Sequence, residues 1–206
     1  MSRIALIGKN SLGYVEKLIS IWNSQDCAVL IDWRISIGTS VQLMRAASVS
    51  KCWICKSQYE MIRENLPDDI LFFSFDDECQ NAVFLPKEIY EQFIPSYSID
   101  EAVVIYSSGT TGKSKGIILS HYAINTNADA IIDYLKPNAM DCMYMVKTIS
   151  HSSSLVGELL VALKTKTNLI IAPTIVPPRY TLQNIEKFGV TKICKLWTIM
   201  SVLYKK

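Results

Sequence analysis

No apolar run in this 206-residue chain approaches the roughly 18 residues needed to span a bilayer. The opening residues, MSRIALIGKN, lack the apolar stretch and cleavage site of a secretory signal. A basic stripe is also missing. The net charge is +2 with lysines and arginines scattered, so the sequence carries no electrostatic footprint for nucleic acid. There are only 2 histidines and one C-x-x-C, which argues against a protein metal cage. That C-x-x-C, Cys52-Trp53-Ile54-Cys55, falls in an apparent strand. A three-residue offset there sends the two side chains to opposite faces, and a buried structural pair is preferred to a redox or zinc site. All 6 cysteines lie dispersed along the chain, as expected for reduced thiols in a cytoplasmic protein. Internal repeats and low-complexity tracts are absent.

What remains is globular in composition: 50% apolar and 19% charged residues, enough for one domain with a sizeable core. So apolar a composition suits a parallel sheet buried on both faces. It equally suits a fragment whose surfaces normally meet a missing partner, and such a fragment is expected to self-associate.

Short apolar runs bounded by polar residues predict strands at Ile4–Gly8, Ala28–Asp32, Cys52–Cys55, Leu71–Phe75 and Val103–Ser107. Helical spacing predicts helices at Ser11–Asn23, Ser40–Ser48 and Ser57–Asn65, with Leu12, Val15, Leu18, Ile19 and Trp22 on one face and Ser11 as an N-cap. Residues Asp76–Asp100, with two prolines and an acidic run, read as a surface connection. A long helix is predicted from His121 to about Leu135, then a strand at Cys142–Val146, a helix at Ser153–Leu163 and a strand at Asn168–Ala172. Beyond the proline-rich break, a helix at Leu182–Phe188, a strand at Lys192–Lys195 and a helix at Ile199–Tyr204 follow. Strands alternating with helices imply an α/β fold with a mainly parallel sheet flanked by helices.

The densest signal is VVIYSSGTTGKSKGIILSH, Val103 to His121. Small residues between two strand-like runs allow a backbone to approach a ligand closely. Successive N–H groups, the hydroxyls of Ser107, Ser108, Thr110 and Thr111, and the charges of Lys113 and Lys115 suit a polyphosphate. A Walker A loop is excluded, because its first glycine would fall at Ser107 and a strand, not a helix, follows. A plain Gly/Ser-rich hairpin turn is the competing reading.

The loop resembles the phosphate loop of the adenylate-forming superfamily of acyl-CoA synthetases, nonribosomal peptide adenylation domains and luciferases. The matching residues are Ser107, Ser108, Gly109, Thr110, Thr111, Gly112, Lys115, Gly116, Ser120 and His121, and Ser114 stands where the family has proline. The likeness extends over nearly the whole chain, from Arg3–Gly8 through Ala28–Asp32 and Asp141–His151 to Thr191–Leu203, but only over the N-terminal part of the family's core. It implies attack of a carboxylate on the α-phosphate of ATP, loss of pyrophosphate, and transfer of the acyl group to a CoA or carrier-protein thiol. By the same resemblance, residues Ser107 to Gly112 with Lys115 and Gly116 bind the phosphates, and Lys115 is the charge partner of pyrophosphate. Thr111 meets Mg²⁺, and His151 positions the carboxylate. Lys113 is expected to be solvated and His121 to pack structurally. Local helix capping is the alternative for His151. The family's adenine-stacking Tyr-Gly-x-Thr-Glu segment, its ribose-binding Asp and its C-terminal lid domain have no counterpart in this sequence. The chain is therefore expected to be a partial N-terminal domain, weak or inactive without a complementing polypeptide. The alternative is a non-catalytic phosphate-binding or protein-interaction relic.

Overall fold

The computed structural model describes residues 1–76, 81–107, 114–173 and 177–193. The first half alternates as the sequence predicts: β1 (Arg3–Gly8), α1 (Leu12–Asn23), β2 (Cys27–Asp32), α2 (Ile37–Ala46), β3 (Lys51–Cys55), α3 (Lys56–Ile62) and β4 (Leu71–Phe75). Ser11 accepts a hydrogen bond from the Tyr14 N–H and so caps α1; Ser36 caps α2 in the same way through Thr39. These strands join β6 (Glu101–Ser107) and β7 (Lys115–Ser120) in a six-stranded sheet of order β4-β3-β1-β2-β6-β7. All its pairings are parallel except β6 with β7, which is antiparallel. The phosphate-loop stretch therefore connects the two strands of a hairpin, and the hairpin and phosphate-loop readings are compatible.

The central strands β1, β2 and β6 are buried on both faces, which explains their unbroken apolar runs. Along β1, Ile4 and Leu6 enter one core cluster while Ala5 and Ile7 enter another beneath α2. The C-x-x-C divides likewise, Cys52 to the second cluster and Cys55 to the first. Burial raises the Cys52 thiol pKa well above its ordinary range, as befits an inert core thiol. At the sheet's two edges, Leu71 and Phe73 on β4 and Ile117 and Ile118 on β7 are exposed.

The remaining strands form a separate sheet. β5 (Val83–Phe84), β8 (Cys142–Met145), β9 (Asn168–Ile171) and β10 (Lys192–Ile193) run in the order β10-β8-β9-β5. Only β5 with β9 is antiparallel. The first core cluster fills the space between the two sheets, where α1 and α5 (His121–Leu135) meet Met143, Met145, Leu169 and Ile171. The predicted helix Ser153–Leu163 is three pieces: α6 (Ser152–Ser154), a π-helical segment Leu155–Leu160, and α7 (Val161–Thr165). The C-terminal helix α8 starts earlier than predicted, at Pro178, and ends at Lys187. Proline fits a first helical turn because its missing N–H has no intrahelical role there. The predicted helix Ile199–Tyr204 lies outside the described residues.

The segment Asp76–Asp100 is not a mere surface connection. It holds β5 and helix α4 (Lys87–Gln92), with Leu85 and Ile89 buried. The Leu85 N–H donates to the Leu169 carbonyl (2.7 Å), and the Tyr90 hydroxyl bridges the Thr167 carbonyl (2.8 Å) and the Leu169 N–H (3.0 Å). Elements of two and six residues are too short for a periodic pattern to reveal, so cross-sheet contacts decide their place.

Candidate functional site

Parallel strands bring their carboxyl ends to one edge, where open α/β sheets bind ligands. At this edge β2 ends in Asp32, β6 ends in Ser107, and the loop after β8 delivers His151 to the start of α6. Together they border a cavity of about 540 Å³ whose apolar lining includes Leu30 and Ile105. Ser107 and His151, singled out from the sequence, thus share one cavity. Lys115 is exposed on β7 and pairs with Ser107 across the hairpin, beside the cavity but not lining it. Ser108, Gly109, Thr110, Thr111, Gly112 and Lys113 lie outside the described residues.

Gly116 has a packing reason of its own. A Cβ there would sit 3.2 Å from the Tyr106 ring and 3.3 Å from Val104. Tyr106 crosses this strand and donates its hydroxyl to the Leu43 carbonyl (2.8 Å), so it has little freedom to move aside.

His151 borders the cavity and also makes the local helix cap of the alternative reading. Its Nδ1 accepts from the Ser153 N–H (3.2 Å) and lies 2.9 Å from Ser153 Oγ, to which Lys147 Nζ donates (3.2 Å). His151 is exposed overall, yet partial desolvation first, and the Lys147 charge second, lower its pKa. With Nδ1 accepting from a backbone N–H, the neutral ring carries its proton on Nε2.

Two contributors escaped the sequence reading. Arg34 folds back on Asp32: its backbone N–H and Nε both donate to Oδ1 (3.0 and 2.9 Å), and a second guanidinium nitrogen reaches Oδ2. Burial would raise the Asp32 pKa, but the Arg34 hydrogen bonds and charge outweigh it and hold the carboxylate below its usual range. The signal available was an Asp at the end of a predicted parallel strand. The other is Asn10, buried just beyond β1. Its amide donates to the Lys147 carbonyl (2.7 Å), and its Oδ1 accepts from the Ile149 N–H (2.9 Å). Asn10 thereby ties the loop that presents His151 to the first sheet.

His121 lies at the opposite end of the sheet, buried edge-on to Trp22 (ring centroids 6.1 Å apart), and packs structurally as expected. Asp141 accepts from the Asn138 N–H and the Thr191 hydroxyl, a turn role. Among the described residues no His, Cys, Asp and Glu group is arranged to hold a metal ion, and no helix is long and apolar enough to cross a membrane.

The chain is 29% identical over 168 residues to 4-coumarate–CoA ligase 2 of Petroselinum crispum, covering 74% of this chain and 30% of that protein. It is 22% identical over 179 residues to the mitochondrial malonate–CoA ligase ACSF3 of Xenopus laevis, covering 85% and 31% respectively. It thus spans under a third of the length of these relatives. Among solved structures, the inhibitor-bound N-terminal domain of FACL13 from Mycobacterium tuberculosis superposes with a TM-score of 0.81 at 15% identity, over 100% of this chain and 52% of that one. ATP-bound MatB from Rhodopseudomonas palustris gives 0.79 at 18% identity, over 100% and 41%. At such identities these structures speak for the fold, an N-terminal domain of the adenylate-forming type. The family model for AMP-binding enzymes matches residues 1–206, and with the α/β fold and the phosphate-loop sequence it follows that this chain belongs to the AMP-binding enzyme family.

Proposed function

We propose that this chain forms the phosphate-gripping, N-terminal part of an ATP-dependent carboxylic acid–CoA ligase. One observation carries the reading: the cavity at the carboxyl edge lies between Ser107, where the phosphate-loop sequence begins, and His151. A carboxylate seated there meets a neutral imidazole whose Nε2–H orients it without neutralising it. Attack on the α-phosphate of ATP brings two anions together, so donors around the phosphates lower the barrier. The N–H groups and hydroxyls from Ser107 to Thr111 supply those donors, and Lys115 offsets the charge of departing pyrophosphate. Mg²⁺, with Thr111 beside it, enters through the family resemblance alone and would spread phosphate charge. The acyl group then passes to the thiol of CoA or of a carrier protein. Adenine and ribose walls come from elsewhere, either a complementing polypeptide or the remainder of a longer chain, and the exposed edge strands β4 and β7 leave room for such a partner or a second copy. The second reading is a phosphate-binding relic without chemistry.

Calorimetric titration with pyrophosphate and ATP tests the grip. Binding is expected on the order of millimolar, about 4 kcal/mol. Lys115→Ala should weaken it more than Lys113→Ala, by a margin that shrinks with added salt. Equal effects remove the assignment of Lys115. Carboxylate-dependent pyrophosphate exchange, with a complementing polypeptide if needed, marks the ligase; binding without exchange marks the relic.

A further inference from the structure

The loop between β8 and His151 is clamped near its middle. Asn10, buried just beyond β1, donates through Nδ2 to the Lys147 carbonyl (2.7 Å) and accepts through Oδ1 from the Ile149 N–H (2.9 Å). The same amide reaches the Ala172 carbonyl beyond β9 (3.4 Å), so the Lys147 backbone is tied to both sheets. From this anchor the half-buried Lys147 side chain runs forward, and Nζ donates to Ser153 Oγ (3.2 Å). Ser153 Oγ lies 2.9 Å from His151 Nδ1. An ammonium has donors only, so Ser153 Oγ accepts from Lys147 and gives its own proton to Nδ1. The Ser153 N–H meets the same nitrogen (3.2 Å). Two donors therefore converge on Nδ1, and a positive charge polarises one of them.

We infer that Lys147 and Ser153 are positioning residues for His151, a relay that holds its ring neutral with the proton on Nε2. On the ligase reading, on which this builds, a carboxylate and a polyphosphate meet beside that ring. Two anions next to an imidazole favour its protonated form. An imidazolium would pair with the carboxylate and blunt it as a nucleophile. The relay opposes that change, because a proton on Nδ1 would face two donors and stand close to the Lys147 ammonium. Asp32 and Arg34, which also border this cavity, pair with each other, and Lys115 stands on the second strand of the hairpin. Among the described residues, Lys147 supplies the charge that acts on the ring.

The test follows the imidazole nitrogens of the full chain, carrying ¹⁵N-labelled histidine, by NMR through a pH titration. The chain has 2 histidines, and His121, at the far end of the sheet, is the internal control. Near neutral pH the His151 ring should show an unprotonated Nδ1 and a protonated Nε2. Lys147→Met keeps the stem and removes the charge. It should raise the proton affinity of His151 about threefold and leave His121 unchanged. Lys147→Arg should restore the wild-type value. Ser153→Ala should bring in signal from the Nδ1-protonated tautomer, and it serves as a second variant if Lys147→Met misfolds. Added pyrophosphate should raise the proton affinity of His151 more in Lys147→Met than in the wild type. A proton on Nδ1 in the wild type, an equal shift of His121, or a His151 ring unchanged in both Lys147→Met and Ser153→Ala would overturn the inference. Pyrophosphate binding with unchanged rings overturns it too and leaves the ligase reading standing. The expected ring shifts without pyrophosphate binding support the relay and remove the phosphate grip.

Discussion

The two ends of the first sheet each carry a histidine and a hollow of similar size, about 480 Å³ at the amino end and about 540 Å³ at the carboxyl end. They differ in how their polar groups are employed. At the amino end these groups bind one another. Trp22 Nε1 donates to the Ala102 carbonyl (3.0 Å), Arg3 makes a two-pronged pair with Glu101 (2.7 Å each), and the Asn125 amide bridges the Ser96 and His121 carbonyls. At the carboxyl end His151 uses Nδ1 for its helix cap, which leaves Nε2 free of that cap, and the residue borders the same cavity as Ser107. Cavity volume alone therefore does not locate a site. Strand direction does, because it fixes which loops gather at which edge.

Breaking the amino end should cost the most stability. Trp22→Ala removes a buried indole, its hydrogen bond and its contacts with His121 and Phe93. Denaturant unfolding should show a loss of about 3–5 kcal/mol. A loss below about 1 kcal/mol would mean that this end is not the stabilising one.

The histidines sharpen the comparison next. Burial lowers the pKa of His121, with Asp100 partly opposing. Its folded-state value thus lies below its unfolded one. Stability from the neutral ring is complete above the unfolded value of about 6.5 and fades as pH falls toward the folded value. His121→Phe should flatten that decline in unfolding curves taken from neutral pH downward. His151→Ala should change it less, because that ring is exposed. An equal change from both would erase the distinction between a structural and a site histidine.

The smallest effects belong to the ion pairs. Arg3→Ala breaks a pair whose side chains are each 27% exposed, and about 1 kcal/mol should be lost. Arg34→Ala, at 54% exposure, should cost less than about 0.5 kcal/mol and leave the fold intact. Matched thermal melts decide the order, and a larger loss from Arg34 would reverse it.

Much of this molecule was legible in the chain itself. Apolar runs bounded by polar residues marked β1 to β4; for β1 and β2 the reason is burial on both faces, which needs no alternation, whereas β4 is an edge strand with Leu71 and Phe73 exposed. Helical spacing and the serine cap marked α1. The small residues, hydroxyls and lysines after Val103 marked a candidate phosphate-loop sequence, because such a pattern is local. Tertiary structure alone decided the division into two sheets and the incorporation of β5 and α4. It also placed Asn10 on Ile149, 139 residues away, Tyr106 over Gly116, and Ser107 and His151 on one cavity. The physical reason is the same in each case. A hydrogen bond or a cavity wall between distant residues depends on which strands become neighbours, and no local periodicity records that choice.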